Sequence, residues 1–524
     1  MPSKLTRSLQ ACGAAALLVA LAAPAGAQAP DKDTLVIAQG VDIETLEPDN
    51  LNATQSINIA SHLWATLLQV TPDGTVVPSL AESFSWNAAG TELTFKIRKG
   101  QACENGEPLT AEDVVYSLKR QVDPALGLKG NIGSFVYPTI GFVDARQDGE
   151  DLATVILKKY QSIAPGMLAQ AYIKCKGAYE PMTKEQAAKT VIASGPYKLV
   201  SWTLNDRLVM ERNPAYTLAE PKFKRIVWRV IPEASTRSAE LIAGNVDIAT
   251  NIPPDQQGAV NSRGTATVMP VSGTRRIFVG FNFADAFKTG KGGEAIQKPE
   301  VRQALNMAVD VPAICTQLLS FTCTRATGPA NLGNPTLKPY PYDPKAAEAM
   351  LDKAGYPRGA DGTRFTLKLQ GPRNRYLNDT NVAQVVGQYL SDIGVQTTVE
   401  LQDFVTIFSP AAREHRAGPL FLIGQGGVTW SAVYDMALFP TREAPVNNGM
   451  WFNPQWQSRW DSLAGIRDAA EERKVVDEML KIFYDDPPWI MLYFQPDFYG
   501  VSKRVAWTPR RDEKIDALAV SLKP

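Results

Sequence analysis

The chain has 524 residues, with 54 basic and 54 acidic side chains, ten tryptophans, 37 prolines and five cysteines. That length implies two to four domains with a large core, and the aromatic content excludes a disordered chain. The neutral balance leaves no basic footprint for nucleic acid or for an anionic membrane surface.

Lys4 and Arg7 precede the small apolar run "GAAALLVALAA" and then "AGAQAP". A basic stretch, a short apolar stretch and a small-x-small site predict a signal peptide over residues 1–27, cut before Gln28. The run is too short to span a bilayer comfortably, and Cys12 stands at its start, whereas lipoprotein processing needs a cysteine at its end. The expectation is a soluble exported protein with no membrane anchor. Removing residues 1–27 takes away Lys4 and Arg7 and no acid, leaving 52 basic against 54 acidic side chains.

"TLVIAQG" predicts a first buried strand. "TQSINIASHLWATLL" has helical spacing at Ile57, His62–Trp64 and Leu67–Leu68. "TELTFKIRKG" alternates, with Leu93, Phe95 and Ile97 on one face. "LTAEDVVYSLKR" predicts a helix capped by Thr110, acidic in its first turn and basic in its last. Strands follow at "DLATVILKK", "GPYKLVSW", "DRLVMERN" and "KRIVWRVI". Helices are expected at Glu233–Ala243, Glu300–Val309, Pro344–Ala354 and Asn378–Ile393. This alternation of strands and helices is an α/β pattern.

Cys103, Cys175, Cys315 and Cys323 follow the leader, an even number in an oxidising compartment. Three pairings exist, with free buried thiols as the alternative. Cys315 and Cys323 lie close in sequence, across an expected helix end and an expected strand "TCTRAT", which favours that pair and leaves Cys103 with Cys175.

Little here supports catalysis. The chain has two histidines, no H-E-x-x-H, no G-x-S-x-G and no C-x-x-C. His62 falls on an apolar helix face and reads as a satisfied core residue; His415, in "AAREHRAG", reads as a solvated helix residue. The pairs Glu471–Glu472 and Asp485–Asp486 lie in surface-like segments. The glycine-rich stretch "LIGQGGVTWSAVYD" lacks a Walker lysine and a complete G-x-G-x-x-G, so it is not a phosphate cradle. A secreted hydrolase is therefore disfavoured.

Seven phrases in order carry a family resemblance: "PDGTVVPSLAESFSWNAAGTELTFKIRKG", "NGEPLTAEDVVYSLKR", "SGPYKLVSWTLNDRLVMERNPAY", "RVIPEASTRSAELIAGNVDIA", "FVGFN…KPEVRQALNMAVD", "YDPKAAEAMLDKAGYP" and "YLSDIGVQTTVEL". Together they resemble the periplasmic solute-binding proteins of peptide and nickel ABC importers, extracellular family 5. The resemblance implies a two-lobed periplasmic binding protein fold (type II, cluster C) with an inserted subdomain. Lobe I would comprise 28–68, 190–268 and 491–524, the insert 69–189, and lobe II 269–490. Two crossover segments, near "VMPVSG" and "PPWIMLYF", would form the hinge. The implied partners are a small-molecule solute and an inner-membrane ABC permease, with no cofactor, no metal and a monomeric state. A periplasmic chaperone or a sensory receptor on the same fold is the alternative.

The resemblance also implies where solute is held. The loop after the first strand, "QGVDIETLEPD", makes Asp42 a candidate polar contact, with turn capping as its other role. In "GPRNRYLND", Arg373 falls near a position where peptide-binding relatives place an arginine for the ligand carboxylate, and Arg375 is its substitute. Trp430, Trp451 and Phe452 would supply an apolar wall, with packing inside lobe II as the alternative for Trp451. The glycine loop in peptide-binding relatives carries Gly-Trp and then an aspartate for the peptide amine. Here Gln425 replaces that tryptophan, and the aspartate position falls on Val428 or Thr429, beside Gly426 and Gly427; no acid follows until Asp435. The glycines are expected to let solute approach. That solute is a neutral or anionic molecule or a blocked peptide, unless a carboxylate across the cleft compensates.

Overall fold

The computed structural model describes residues 30–524 except 332–333, 427–430, 438, 440 and 445. The expected leader, and Gly427, Val428, Thr429 and Trp430 of the glycine loop, lie outside the described residues.

The first strand, Thr34–Gln39, is buried along its whole length. Its alternation puts Leu35 and Ile37 into one apolar core and Val36 and Ala38 into another. A strand buried on both faces cannot sit at a sheet edge, and this one pairs in parallel with Arg225–Val230 and Ile248–Ala249. These strands belong to a ten-stranded sheet. Its order is Tyr197–Thr203, Arg207–Arg212, Arg225–Val230, Thr34–Gln39, Ile248–Ala249, Trp489–Ser502, Ala266–Phe281, Leu420–Gln425, Phe365–Arg373 and Val395–Asp403.

Two long antiparallel strands, Ala266–Phe281 and Trp489–Ser502, join the halves of this sheet. Their ladder breaks between Ser272 and Arg276, opposite Pro496 and Phe494. Proline has no N–H to give a ladder, and a side chain at Gly273 would clash with the Gln495 carbonyl. The break interrupts both long strands where they join the halves of the sheet.

A separate four-stranded antiparallel sheet has the order Ala81–Trp86, Glu92–Ile97, Leu152–Leu157 and Phe142–Gln147. Leu93, Phe95 and Ile97 share one buried face, as their alternation predicts. The helix Ala111–Arg120 beside it begins in a capping box of Thr110 and Asp113. Its last residue is not solvated. Arg120 donates to Glu47 and Asp49 at 2.7 and 2.6 Å, and Lys174 reaches the same two carboxylates at 2.5 Å each. Burial alone would raise Glu47, but Lys174 and Arg120 outweigh it and hold this carboxyl at about 2. This buried cluster ties the small sheet's subdomain to the loop after the first strand.

Helices at Ala234–Ile242, Pro299–Met307, Pro344–Lys353 and Asp379–Asp392 fall within a residue or two of the expected ones. Two expectations are corrected. The helix at Thr54 stops at Leu63 rather than running to Leu68, because Ala65–Thr66 pairs with Tyr172–Ile173 and buries its apolar side chains as strand. "TCTRAT" is not a strand; only Arg325 makes an isolated bridge, to Tyr493. The four cysteines form the favoured pairs, with Cα separations of 6.4 Å for Cys103–Cys175 and 5.7 Å for Cys315–Cys323. Among the described residues no helix is long and apolar enough to cross a membrane.

Candidate functional site

A cleft of about 870 Å³ opens between the halves of the large sheet. Such a volume lies within the usual range of small-molecule sites, roughly 300–1,000 Å³. The loop after the first strand and the helix Thr54–Leu63 form one wall. Residues 121–135 form another. The facing wall is built from Arg375–Tyr376, the helical stretch 404–414 and the end of the strand Leu420–Gln425.

Arg375 is the most informative residue in this cleft. It follows the strand Phe365–Arg373 in a tight turn whose backbone N–H groups, at Asn374, Arg375 and Tyr376, donate to the Asp379 carboxylate. That turn aims the side chain across Tyr376 and Phe404, with its Cζ 4.8 and 5.2 Å from the two ring centroids. The residue is only 4% exposed, yet its guanidinium has no hydrogen bond or ion pair among the described residues, and its Nε is fully buried without an acceptor. Burial, and after it the like charge of Arg275, push this guanidinium below its ordinary value. Glu513 and Asp379 oppose that shift without bonding the guanidinium, and an anion entering the cleft would give it a direct partner.

Arg275 is different. It sits in the break of the crossover strand and is fully committed. It pairs with Glu513, donates to Thr54 Oγ1 at 2.8 Å and to the Gly424 carbonyl at 3.1 Å. One side chain thus ties the first wall, the C-terminal tail and the facing wall together at the cleft floor.

The other expected contacts divide. Arg373 is exposed at the strand's end and does not line the cleft, one alternation away from Arg375. Asp42 does not line it either: its carboxylate accepts from the N–H of Ile43 and Asn205 at 2.7 Å and from Trp202 Nε1 at 3.2 Å. It ties the loop to the strand end and turn that carry Trp202 and Asn205. The acid that faces the cleft from this loop is Glu44, two residues on. Glu44 Oε2 accepts from the N–H of Asn52 and Ala53, and its Oε1 lies 3.7 Å from Arg413 on the facing wall. Trp451 is buried away from the cleft, donates its Nε1 to Asp486 at 3.2 Å and packs on Phe439, Trp456 and Phe483. It packs lobe II and makes no cleft wall; Phe452 is exposed and also outside the lining.

Gln425 and Gly426 line the cleft. Gln425 Nε2 donates to the Val446 carbonyl at 3.0 Å and to Asn448 Oδ1 at 2.9 Å, so it anchors the loop. Gly426 has φ 127°, and a Cβ there would come within 2.7 Å of the Thr274 carbonyl and 2.9 Å of Arg275 Cα. The crossover strand comes close to this glycine, which also lines the cleft. Asp435, the first acid after the loop, is buried with Arg276 at 2.8 Å and accepts from the Asn331 N–H. It is unavailable to a solute amine.

Neither histidine enters the cleft. His62 is buried; its ring contacts the Asn58 carbonyl through Nδ1 at 2.7 Å and accepts the Ala517 N–H on Nε2 at 2.9 Å. His415 is not on a solvated helix face but just past the helix Ser409–Arg413, at φ 58° and half-buried near the Asn448 carbonyl. Among the described residues no cluster of histidine, cysteine or carboxylate could hold a metal ion.

The sequence reading missed Glu44, Arg275, Arg413, Tyr376 and Phe404. Glu44 stood in the same quoted loop as Asp42, and Arg413 in the same quoted segment as His415. Neither segment says which of its charges turns inward.

The glutathione-binding protein GsiB of Escherichia coli O157:H7 is 25% identical over 503 residues, covering 93% of this chain and 94% of its own. Among solved structures, DppA of Helicobacter pylori with peptide STSA matches with a TM-score of 0.83 at 18% identity, over 94% of this chain and 98% of its own. NikZ of Campylobacter jejuni with Ni(L-His) matches with a TM-score of 0.80 at 20% identity, over 94% of this chain and 99% of its own. These two show the fold, which is that of two-lobed periplasmic binding proteins. The model of the bacterial extracellular solute-binding proteins, family 5 (middle part), matches residues 75–444, more than half of the chain. The chain belongs to that family, the solute-capturing components of ABC importers.

Proposed function

We propose that this protein captures a small anionic, peptide-like solute, grips its carboxylate with Arg375, and hands it to an inner-membrane ABC permease without chemical turnover. The observation that carries this reading is the buried, unpartnered guanidinium of Arg375 on a cleft of about 870 Å³. Guanidinium suits the task because its planar fork binds both carboxylate oxygens. The glycine loop supports the same class of solute: the first acid after it, Asp435, is spent on Arg276 and is closed to a peptide amine. A relative named for glutathione binding and a solved neighbour holding a peptide are consistent with a carboxylate-bearing solute.

The moving bodies in this reading are 28–68 with 190–268 and 491–524, the insert 69–189, and 269–490, acting as a monomer in the periplasm after loss of residues 1–27. The test is denaturing mass spectrometry on protein purified without refolding, followed by calorimetry with whatever solute it carries. The expected solute has a carboxylate, and Arg375→Gln weakens it at least 30-fold, the effect of removing one side of a buried charge pair. A carried solute with no anionic group, or unchanged affinity in the variant, would refute the reading.

A further inference from the structure

We propose that the cleft has a second charged subsite, Arg413 with Glu44, built for the α-amino-acid head of a solute whose other carboxylate lies on Arg375. The proposal rests on the Arg375 reading and specifies the solute further.

Arg413 lines the facing wall at the end of the helical stretch that begins at Phe404. Its neighbours are few and weak: Ser409 Oγ at 3.3 Å and Glu44 Oε1 at 3.7 Å. Glu44 Oε2 is held by two backbone N–H groups, which fixes the carboxylate and leaves Oε1 turned to the cleft. A cation and an anion 3.7 Å apart on opposite walls are complementary to the adjacent carboxylate and ammonium of an α-amino acid. A structural ion pair of the same residues would normally close to 2.7–2.9 Å.

The spacing of the subsites sets the length of the solute. Arg375 lies over Phe404, and Arg413 is nine residues further along helical backbone. At about 1.5 Å per residue, nine residues advance about 13 Å. About four extended residues span that distance, more than an α-linked tripeptide and close to one lengthened by a side-chain linkage. An ordinary linear tripeptide has an ammonium at one end and a carboxylate only at the other. A solute that satisfies both arginines and Glu44 needs a free α-amino-acid head as well as the distant carboxylate, as in a peptide linked through an acidic side chain.

Glutathione has this pattern and serves as the probe. Its glutamyl α-carboxamide lacks the head carboxylate alone, and linear Ala-Cys-Gly lacks the side-chain linkage. Calorimetry on the mature protein should show glutathione binding at least about tenfold tighter than either. Arg413→Gln should cost glutathione about tenfold and leave the α-carboxamide unchanged. Equal loss for both would make Arg413 only a tie between the lobes, and the proposal falls. No preference for glutathione in the wild type overturns it as well, while Ala-Cys-Gly binding that Arg375→Gln abolishes leaves the single-carboxylate reading standing. Binding of none of the three overturns this proposal, and a carried solute without a carboxylate overturns the underlying reading separately. A melting curve of Arg413→Gln matching the wild type shows that the variant is folded.

Discussion

The Asp497 carboxyl sits in the second crossover strand, where Oδ1 accepts from Gln495 Nε2 at 2.7 Å and Oδ2 has no donor among the described residues. Burial, with Glu513 nearby, pushes it well above its usual value of 3.8. The folded protein therefore keeps a proton that the unfolded chain has lost. Stability from this group is fully present below about pH 4 and decays as pH rises toward the folded value, at about 1.4 kcal/mol for each unit of the shift. Asp497→Asn keeps the acceptor for Gln495 and removes the titration. Its melting temperature should exceed that of the wild type at pH 8, by a margin that narrows toward pH 4. A margin independent of pH would mean that Asp497 is already ionised in the fold. Arg375 invites the complementary experiment. Arg375→Met removes a buried, unpaired charge, so it should raise the melting temperature of solute-free protein while lowering affinity. A structural arginine would lose stability instead.

Among the elements, the joints are covalent and electrostatic as much as apolar. The Cys103–Cys175 bridge closes a loop of 72 residues in sequence and ties the turn before the helix Ala111–Arg120 to the segment following Tyr172–Ile173. In the chain-entropy model it contributes about 4 kcal/mol, against about 2.6 kcal/mol for the shorter Cys315–Cys323 loop. Denaturant titration of the two double Cys→Ser variants should reproduce that order. The reverse order would point to loops already compact in the unfolded chain. The same subdomain is fastened by Lys174, whose ammonium is shared by Glu47 and Asp49. Lys174→Met leaves Arg120 to neutralise both carboxylates in a buried site, and should cost about 3–5 kcal/mol. The loss should shrink in acid as the two carboxyls take up protons.

At the scale of the whole molecule, the proposed closure would bend the break at Ser272–Arg276, and contacts far from it would reward that closure. Arg467, in the proposed lobe II, donates to the Ala88 carbonyl at 3.0 Å and lies 5.0 Å over the Tyr160 ring of the proposed insert. Gly465 N–H donates to the Tyr160 carbonyl at 2.8 Å. None of these residues lines the cleft. Arg467→Ala should therefore weaken every solute by the same factor, about three- to tenfold, because the contacts favour closure and do not discriminate solutes. A change in selectivity would place Arg467 in recognition instead. Small-angle scattering should show a smaller radius of gyration at saturating solute, and an unchanged radius would argue against hinge closure.

Much of the local structure follows from neighbours in the chain. Alternation placed Leu93, Phe95 and Ile97 on one buried face, and the Thr110–Asp113 spacing built its own cap, because both depend on residues within one strand or one turn. The order of seven phrases, spread over the whole chain, pointed to family 5 for the same reason: each is a local requirement of one element. The site was only half legible. "GPRNRYLND" located the cation, but choosing Arg375 over Arg373 depends on the Asp379 turn and on the rings of Tyr376 and Phe404. Asp42 and Glu44 are both acids in one loop, and which one faces the cleft is decided by Trp202 and Asn205, about 160 residues away. Gly426, read as room for solute, lines the cleft and also makes room for the crossover strand, which arrives from about 150 residues earlier. Local sequence thus determined the elements, whose hydrogen bonds and caps are short-range. The tertiary structure alone decided which charges stay unpaired, because a charge is neutralised by whatever long-range packing brings beside it.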